Sequence, residues 1–394
     1  MRVYLDNAAT TMTDPRAVKK MLPYYLGKYG NPSSLHAFGR EAEEAVDEAR
    51  ETIAKALSAG PREIVFTGSG SEADNLALRG VLAASTKRSE LVVSEIEHPA
   101  VLRTAEALER AGVKVKRVGV DGDGMIDFGE LEKAVSKRTA LVSVMHANNE
   151  VGTVQPLQEI AGICRDAGAL FHTDAVQSFG KIPVSAKHAD LITVSSHKIH
   201  GPKGVGALFV REGVPLSPLI TGGLHEFGKR AGTENVPGIV GFGEAVFLSQ
   251  KYLKGNARKM TRLRDKLIRR ALEIPDSWLN GHAKKRLPNN AHLGFDFVEG
   301  EALVLRLDAR GVAASTGSAC SSQSLEPSHV LLAMGLSHVK AHGSLRLTLS
   351  KFTTEKEVDY VVSVLPKTIA ALRKISSLNA ENASAYRTLT GVSK

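Results

Sequence analysis

A lysine stands directly after an apolar run that has the composition of a buried strand. The run covers residues 191–194, and the polar residues 195–198, ending in Lys198, precede a loop rich in glycine and proline. An ammonium at the end of a buried strand must be solvated, paired or used covalently, because burying it without a partner is costly. Lys198 could therefore form a Schiff base with a carbonyl cofactor. Alternatively, its side chain could simply extend to solvent from the strand end.

A carboxylate at the end of a neighbouring predicted strand favours the first alternative. Asp174 follows an apolar run, and Gln177 comes three residues later. A buried carboxylate needs a cationic partner, and a protonated pyridine nitrogen would serve while making its ring a better electron sink. Asp174 could instead cap the next segment. Asp174 and Lys198 lie 24 positions apart, and this pair suits pyridoxal phosphate but has no use in a nicotinamide-binding fold.

A glycine-containing turn between a predicted strand and a predicted helix could bind a phosphate group. Residues 66–75 read FTGSGSEADN. Glycines such as Gly70 let the backbone approach an anion, Ser71 adds a hydroxyl, and the helix N-terminus supplies free N–H groups. The same residues could form only a well-capped turn. A dinucleotide site is a further alternative, because Glu95 could bind a ribose, although Ala73 stands where the third glycine of that fingerprint is expected.

Further polar residues come at the ends of other predicted strands. His98 precedes a helix that begins near Pro99, and its imidazole could stack on a planar cofactor or transfer protons near neutral pH. A structural histidine is the alternative. Asn148, Asn149 and Glu150 form a polar cluster whose composition does not suit core packing. Ligands of parallel sheets bind at the carboxyl ends of the strands, so these positions are expected to converge.

Two cysteines and one arginine complete the candidate residues. Cys320 lies among small residues in a stretch that predicts an exposed loop, where a thiol could act as a nucleophile or be an incidental surface group. Cys164 falls on the apolar face of a predicted helix and is expected in the core. Arg346 alternates with apolar residues on a predicted strand, so its guanidinium could bind a substrate carboxylate or form a structural salt bridge.

The composition narrows the class of protein. The chain has 394 residues, of which 43% are hydrophobic and 24% charged, as in ordinary globular proteins. It contains no apolar run long enough to span a bilayer and no signal peptide at its start. Two cysteines do not make a disulfide framework, so we expect a cytoplasmic location. The net charge of +9 comes largely from residues 251–286, where a solvated helix face is favoured, an acidic partner is possible, and no nucleic-acid motif is present. The histidines lack metal-ligand spacing, so no metal is expected.

Strand and helix patterns alternate between about residues 63 and 210. This alternation predicts an α/β fold with a mostly parallel, seven-stranded sheet that is covered by helices on both faces. After about Gly238 the pattern changes to a long helical stretch, broken near Gly255, followed by a few strands and further helices, which predicts a smaller α+β domain. We expect a large cofactor-binding domain over residues 15–255, a small domain formed by residues 1–14 and 256–375, and a polar tail of residues 376–394 that could be disordered.

The motifs, taken together and in order, resemble those of the cysteine desulfurases of the class-V aminotransferase group. The resemblance extends from Tyr4 to about Thr354 and is specific because many motifs recur in sequence. These are YLDNAATT at 4–11, GNPSSLH at 30–36, EH at 97–98, NNEVG at 148–152, DAVQ at 174–177, SSHK at 195–198, RAGTEN at 230–235 and GSAC at 317–320. Two departures are mild: Ser71 stands where threonine is common, and Ser196 stands where glycine is common.

The resemblance implies a fold-type-I enzyme that binds pyridoxal 5′-phosphate and forms a homodimer. Lys198 would hold the cofactor covalently and move the Cα proton of the substrate, Asp174 would pair with the pyridine nitrogen, and His98 would stack on the ring. Gln177 and Asn149 would approach the ring oxygen. The residues expected at the phosphate are Gly70, Ser71, Ser195 and His197, with Thr233 of the neighbouring subunit. Arg346 would hold the carboxylate of L-cysteine, together with Asn149.

The implied reaction converts L-cysteine to L-alanine and leaves a persulfide on Cys320, with His98 assisting deprotonation of the substrate thiol. The persulfide would supply an acceptor protein for iron–sulfur clusters or thio-modifications. Neither a membrane nor a nucleic acid is expected as a direct partner. A selenocysteine lyase or a related class-V lyase or aminotransferase is the main alternative, and transamination would not need Cys320. A catalytically silent scaffold and a dinucleotide-dependent oxidoreductase are the others.

Overall fold

The protein is described by a computed structural model that covers residues 1–317 and 326–376. Its strands are β1 (Val3–Tyr4), β2 (Ile64–Thr67), β3 (Glu90–Ser94), β4 (Lys114–Val118), β5 (Thr139–Ser143), β6 (Leu170–Asp174), β7 (Leu191–Ser195), β8 (Gly206–Val210), β9 (Ser277–Leu279), β10 (Asn290–Phe295), β11 (Val312–Ala313) and β12 (Ser344–Thr348).

The helices alternate with these strands in the first half of the chain and dominate the second half. They are α1 (Pro15–Met21), α2 (Pro23–Leu26), α3 (Ala37–Leu57), α4 (Gly70–Ala84), α5 (Pro99–Arg110), α6 (Phe128–Ala134), α7 (Leu157–Ala167), α8 (Val236–Lys251), α9 (Leu253–Ala271), α10 (Gly300–Asp308), α11 (His329–Ala333), α12 (His338–His342) and α13 (Glu355–Arg373).

A seven-stranded sheet in the order β2-β8-β7-β6-β5-β3-β4 forms the centre of the part that the structure describes. The strands from β7 to β4 are mutually parallel, whereas β8 is antiparallel to both β7 and β2. Every residue of β3, β5, β7 and β8 is buried, because helices pack on both faces and the strands are correspondingly apolar and β-branched. The predicted α/β class and the mostly parallel seven-stranded sheet are confirmed.

The parallel strands bring the candidate residues to one edge. Strands β3, β5, β6 and β7 all end at the same side of the sheet, so the turns that follow them lie next to each other. Asp174 is the last residue of β6, and Ser195 is the last residue of β7. His98 and Lys198 follow four and three residues after the ends of β3 and β7. The site therefore develops at this carboxyl edge.

A second, smaller sheet and its helices have their own apolar core. Strand β10 pairs with β9 and β12, antiparallel to both, while β1 pairs in parallel with β11. The core joins Val3 and Leu5 to apolar residues of β10, β12, α9, α10 and α13. This core is separate from those on the two faces of the large sheet. We propose that it belongs to the small domain expected from residues 1–14 and 256–375.

Two details differ from the sequence expectation or add to it. The long helical stretch after Gly238 is interrupted at Tyr252, whose φ of −111° and ψ of 11° are not helical, whereas Gly255 lies inside α9. The short strands β9 and β11 are not predicted from the sequence, because three residues and two residues give too little periodicity to identify a strand.

A disordered tail is predicted for residues 376–394, and from residue 377 onwards this tail lies outside the described residues. No helix within residues 1–317 and 326–376 is long and apolar enough to cross a membrane.

A buried ion pair fastens the loop before α8 to the large sheet. The guanidinium of Arg50 on α3 donates from Nη1 and Nη2 to the carboxylate of Glu226 at 2.8 and 2.9 Å, and both side chains are buried. Oε2 of Glu226 also accepts from the backbone N–H of Phe66 at 2.7 Å. The pair thus joins α3, β2 and the loop that leads to Thr233.

We expect Glu226→Gln to lower the free energy of unfolding by about 3 kcal/mol, because it leaves the buried guanidinium with only the exposed Asp47, 3.6 Å from its Nε, as a counter-charge. Urea unfolding followed by far-UV circular dichroism measures the change. Glu355→Gln is the matched control, since it removes the charge from solvent-exposed pairs with Arg262 and Lys266, and a change of no more than about 1 kcal/mol is expected there. Equal effects of the two substitutions would contradict the structural importance given to the buried pair.

Candidate active site

Lys198 lies in a single 3-10 turn, Ser196–Lys198, that directly follows β7. Its Nζ donates to the backbone carbonyls of Ala8 and Ala9 at 2.6 and 2.7 Å. The N-terminal segment is fixed beside this turn because the amide and hydroxyl of Thr11 both donate to the carbonyl of His197. The ammonium is therefore held against the N-terminal segment at the edge of the sheet, and the alternative of a side chain that extends to solvent is wrong.

Asp174 presents a buried carboxylate next to this lysine. Only 5% of its surface is exposed, and Oδ1 accepts from the backbone N–H of Val176 at 2.8 Å. Burial raises the pKa of Asp174 to about 6, although the Val176 amide and the ammonium of Lys198 both favour the anion. The anion would be stabilised by a further cation, such as a protonated pyridine nitrogen, and the carboxylate therefore fits the proposed cofactor.

The turn before α4 is tightly packed around the glycine at the start of the helix. A Cβ on Gly70 would lie 3.0 Å from Val176 Cγ2 and 3.4 Å from Ser195 Cβ, and a Cβ on Gly206 would lie 2.7 Å from the carbonyl carbon of Ser69. Gly70 thus abuts Ser195, while Ser71 is exposed in the first turn of the helix. These residues form a cradle that combines the backbone N–H groups at the start of the 15-residue helix α4 with the hydroxyls of Ser71 and Ser195. Such a combination fits a phosphate.

Of the other two residues expected at the phosphate, His197 is hydrogen-bonded within the site, whereas Thr233 is exposed. Nδ1 of His197 lies 3.1 Å from the hydroxyl of Thr10, and burial together with Lys198 lowers the pKa of His197 to about 4. Its imidazole is therefore a neutral hydrogen-bonding group near pH 7. Thr233 is exposed on the loop before α8, which is compatible with a role in a second subunit.

The replacement of glycine by Ser196 is accommodated by a nearby glycine. Ser196 is fully buried, and a Cβ on Gly201 would come within 2.0 Å of its Oγ. Within the described residues this Oγ has no hydrogen-bond partner. Gly201 thus provides the space that the side chain of Ser196 needs.

His98 caps α5 and is neutral at physiological pH. Its Nδ1 accepts from the backbone N–H of Ala100 at 3.1 Å, so the proton of the neutral ring is assigned to Nε2. Burial, Lys198 and His329 lower the pKa of His98 to about 4. A neutral ring whose acceptor nitrogen is already used is suited to stacking on a planar group, and less suited to accepting a proton from a thiol.

Arg346 is buried and partly satisfied by its surroundings. Its Nη1 donates to the backbone carbonyl of Asn149 at 3.2 Å, and its Nη2 donates to Oδ1 of Asp6 at 3.1 Å. Nε is buried without a partner among the described residues, so it remains a donor for an incoming carboxylate. Asn149 contacts this arginine through its backbone, and the amide of Gln177 donates to the carbonyl of Ala8 at 3.0 Å.

Two buried glutamates were not given roles by the sequence. Oε1 of Glu97 accepts from the hydroxyl of Ser94 at 2.5 Å and from the amide of Met145 at 2.7 Å, while Oε2 has no partner in the described structure. Burial raises the pKa of Glu97 to about 8 and that of Glu150 to about 7. Their position beside His98 and Asn149 was the only signal, since the sequence does not show that they are buried.

Cys320 lies outside the described residues, but the chain on both sides of it is placed. A Cβ on Gly317 would lie 2.8 Å from Oε2 of Glu150 and 3.4 Å from Cβ of Ser328. The hydroxyl of Ser328 donates to the same Oε2 of Glu150. Both ends of the stretch that contains Cys320 therefore meet at one buried carboxyl group. Cys164, by contrast, is buried on α7, and burial raises the pKa of its thiol to about 12, as expected of a core residue.

Comparison with known proteins gives a consistent result. Residues 3–361 match the family model described as Aminotransferase class-V. The chain is 48% identical over 384 residues to a cysteine desulfurase of Trichormus azollae, and the aligned region covers 97% of this chain and 96% of that protein. It is also 48% identical over 383 residues to the cysteine desulfurase IscS of Dictyoglomus turgidum, covering 96% and 97% of the two chains. A solved NifS-like protein superposes with a TM-score of 0.89 at 40% identity, covering 94% of this chain and all of that chain.

We expect Glu97→Gln to change how stability depends on pH. The pKa of Glu97 near 8 in the folded protein lies above its ordinary value of 4.5, so the folded state holds a proton that the unfolded state loses between these values. The native protein should therefore lose stability as the pH rises from about 4.5 to 8. Glutamine is permanently neutral and has the same shape, so the melting temperature of the variant should rise relative to that of the native protein across this range.

Glu95→Gln is the matched control, because Glu95 is exposed two residues away and its substitution should leave the pH profile unchanged. A constant difference in melting temperature between Glu97→Gln and the native protein from about pH 5 to pH 8 would show that Glu97 does not hold its proton in the folded state.

Proposed function

The chain belongs to the class-V aminotransferase family, and on that premise we propose that it is a cysteine desulfurase that depends on pyridoxal phosphate. The proposal depends mainly on the position of Lys198 and Asp174, which lie at the carboxyl edge of the sheet beside the Gly70 cradle. This edge offers a group of complementary chemistry to the aldehyde, to the pyridine nitrogen and to the phosphate of the cofactor.

The residues that would hold the cofactor follow from these positions. Lys198 would bind its aldehyde, Asp174 its pyridine nitrogen, and His98 the face of its ring. The phosphate would be bound by Gly70, Ser71, Ser195 and His197, and the ring oxygen would be approached by Gln177 and Asn149. When bound, pyridoxal phosphate supplies an electron sink for the charge left on the substrate when the Cα proton departs.

The protein's own groups perform the remaining tasks. Arg346 binds the carboxylate of L-cysteine through its free Nε, which orients the substrate amine and Cα towards the edge of the sheet. Nζ of Lys198 removes the Cα proton, and the carbonyls of Ala8 and Ala9 keep this nitrogen in place. His98, as a neutral ring, would stack on the bound cofactor, and we favour this role over that of a base for the substrate thiol.

The sulfur leaves through Cys320. The thiolate of Cys320 attacks the sulfur of the substrate, so that an S–S bond forms and the C–S bond breaks, with its electron pair retained on the substrate carbon. Protonation of that carbon yields alanine, and Cys320 carries the sulfur as a persulfide. Sulfur transfer to an acceptor follows, and we propose that the acceptor is an iron–sulfur scaffold or a sulfur-carrier protein. On the low cysteine content we also propose a cytoplasmic location.

We propose that the enzyme is a homodimer in which Thr233 of one subunit reaches the phosphate of the other. Large apolar side chains are exposed near the N-terminus and on the loop that carries Thr233, including Leu26 at 84%, Leu35 at 93% and Leu224 at 88%. Apolar surface of this kind supports a subunit interface. Thr233 is exposed on the loop that also carries Leu224, which agrees with a contribution to the partner's site.

The assay that tests the activity is sulfide release and alanine formation from L-cysteine in the presence of a reductant. We expect Cys320→Ala to reduce sulfide release by at least about 100-fold, because the nucleophile is lost. Cys164→Ala is the matched control, since this is the other cysteine of the chain, and it should retain activity. Unimpaired sulfide release by Cys320→Ala would exclude the persulfide mechanism.

Lys198→Ala distinguishes an enzyme from a catalytically silent scaffold. The native protein should be yellow and bleached by borohydride, whereas this variant should lack the borohydride-sensitive absorbance. A colourless native protein that does not respond to borohydride would support the scaffold.

The shared site can be tested by subunit complementation. Thr233→Ala should weaken cofactor affinity by about 10-fold or more, the effect of losing a hydrogen bond to a charged group. A mixed dimer of Lys198→Ala and Thr233→Ala subunits would contain one site with both substitutions and one native site. At limiting cofactor, we expect differently tagged, purified mixed dimers to recover up to about half of native sulfide release. Mixed dimers no more active than the two parents would place Thr233 in its own subunit's site or in neither.

A further inference from the structure

The carboxylate of Asp6 contacts Arg346 and has no part in the mechanism above. Oδ1 of Asp6 accepts from Nη2 of Arg346 at 3.1 Å. The other terminal nitrogen of the guanidinium, Nη1, donates to the carbonyl of Asn149 at 3.2 Å. Because the guanidinium is planar, contacts at both terminal nitrogens fix its plane. The direction of the Nε–H group, which has no partner among the described residues, is thereby fixed as well.

Asp6 is itself held in place by backbone pairing with β12, the strand that carries Arg346. The amide of Thr348 donates to the carbonyl of Leu5 at 2.7 Å, and the amide of Asn7 donates to the carbonyl of Thr348 at 3.4 Å. Asp6 thus forms a parallel bridge with Thr348, and the side-chain amide of Asn7 adds a hydrogen bond of 2.7 Å to the same carbonyl. The pairing on both sides of Asp6 therefore sets the position of its carboxylate relative to Arg346.

The other ionisable groups near Arg346 do not replace Asp6 as its counter-charge. Arg346 is only 3% exposed, and a buried guanidinium without an anion is costly. In the part of the chain that the structure describes, Asp6 is the carboxylate that pairs with it. Glu150 is about half protonated near pH 7, because burial raises its pKa to about 7. His292, opposite Arg346 on β10, is neutral because burial and the charges of Arg346 and Arg286 lower its pKa to about 3.

We propose that Asp6 is a positioning residue whose carboxylate holds the guanidinium of Arg346 in the orientation that receives the carboxylate of an amino-acid substrate. Without Asp6, only the carbonyl of Asn149 would orient the guanidinium, and substrate binding would have to order a long side chain at a cost in affinity. The negative charge of Asp6 acts in the opposite direction, since it repels an incoming anion. Its side chain is 19% exposed, so solvent screens this repulsion, and we expect orientation to be the larger effect. That the ligand is an amino acid rests on the function proposed above.

The test is calorimetric titration of the holoenzyme with L-alanine and with L-alaninamide. L-Alanine, the proposed product, has the carboxylate but no thiol, so its binding does not require sulfur chemistry. L-Alaninamide lacks the negative charge, and the ratio of the two dissociation constants therefore measures recognition of the carboxylate. Asp6→Ala should weaken the binding of L-alanine by about 5- to 10-fold, the cost of ordering one long side chain, and should leave that of L-alaninamide unchanged. A general structural defect would weaken both.

Two further variants separate orientation from charge. Asp6→Asn keeps a side-chain oxygen for Nη2 and removes the charge, so it should bind L-alanine as tightly as the native protein or more tightly. In an Arg346→Gln background, Asp6→Ala should have no further effect, because Asp6 acts through the guanidinium. Asp166→Ala is the matched control, since it removes the same charge from an exposed position on α7, and it should change neither dissociation constant.

Unchanged or tighter binding of L-alanine by Asp6→Ala would overturn the proposal, as would an equal loss for L-alaninamide. A native protein that does not prefer L-alanine to L-alaninamide would also overturn it. Circular dichroism checks the fold of each variant. If the alanine variant does not fold, the asparagine variant still decides, because weakened binding of L-alanine there would contradict a role in orientation.

Sulfide release by the native holoenzyme tests the proposed function separately. Selective loss of L-alanine binding in Asp6→Ala, with no sulfide release from the native protein, would retain the role of Asp6 and refute desulfuration. Sulfide release from the native protein, with unchanged binding of L-alanine by Asp6→Ala, would retain the function and refute the role of Asp6.

Discussion

The site depends on how the ammonium of Lys198 is accommodated at the edge of a buried sheet. Two backbone carbonyls of the N-terminal segment, from Ala8 and Ala9, accept its hydrogen bonds. The same segment is held on its other side by Thr348, whose carbonyl accepts from Asn7 and whose hydroxyl accepts from the amide of Ala8. Because one stretch of chain satisfies the lysine and also pairs with β12, it fixes the position of the small sheet relative to the turn after β7.

Burial then determines which groups of the site are charged. It raises the pKa of Glu97 and Glu150 to about 8 and 7, and it lowers that of His98 to about 4. Near pH 7 His98 is therefore neutral, Glu97 is largely protonated and Glu150 is about half protonated, because desolvation outweighs the available hydrogen bonds. Arg346, which also pairs with Asp6, offers a cationic group to an anionic substrate, while Asp174, with a pKa of about 6, would be held more firmly as an anion by an additional cation. This distribution suits a site that must bind charged partners before its chemistry begins.

The sequence predicted those features that depend on local pattern. Alternation of strands and helices located the seven strands, and the rule that ligands bind at carboxyl ends of parallel strands brought Asp174, His98 and Lys198 together. The contacts of Ala8, Ala9 and Asp6 could not be predicted in this way, because they join residues about 190 or 340 positions apart and involve backbone atoms or a common carboxylate. The helix break expected near Gly255 lies at Tyr252 instead, and Gly255 is inside α9, because the cost of about 1 kcal/mol of a glycine in a helix does not by itself end the helix.

The loop after β5 connects substrate recognition with the segment that contains Cys320. The carbonyl of Asn149 accepts from the guanidinium of Arg346, and the next residue, Glu150, accepts from the hydroxyl of Ser328. The amides of Glu150 and Val151 both donate to Oδ1 of Asn148, so this loop is rigidly built. Gly317 has no side chain because Glu150 and His292 occupy the space that a Cβ would need. The site proposed for a carboxylate at Arg346 and the described chain on either side of Cys320 are therefore both attached to residues 148–150. If the proposed function holds, this one rigid loop supports substrate binding and both anchors of the segment that contains the nucleophile.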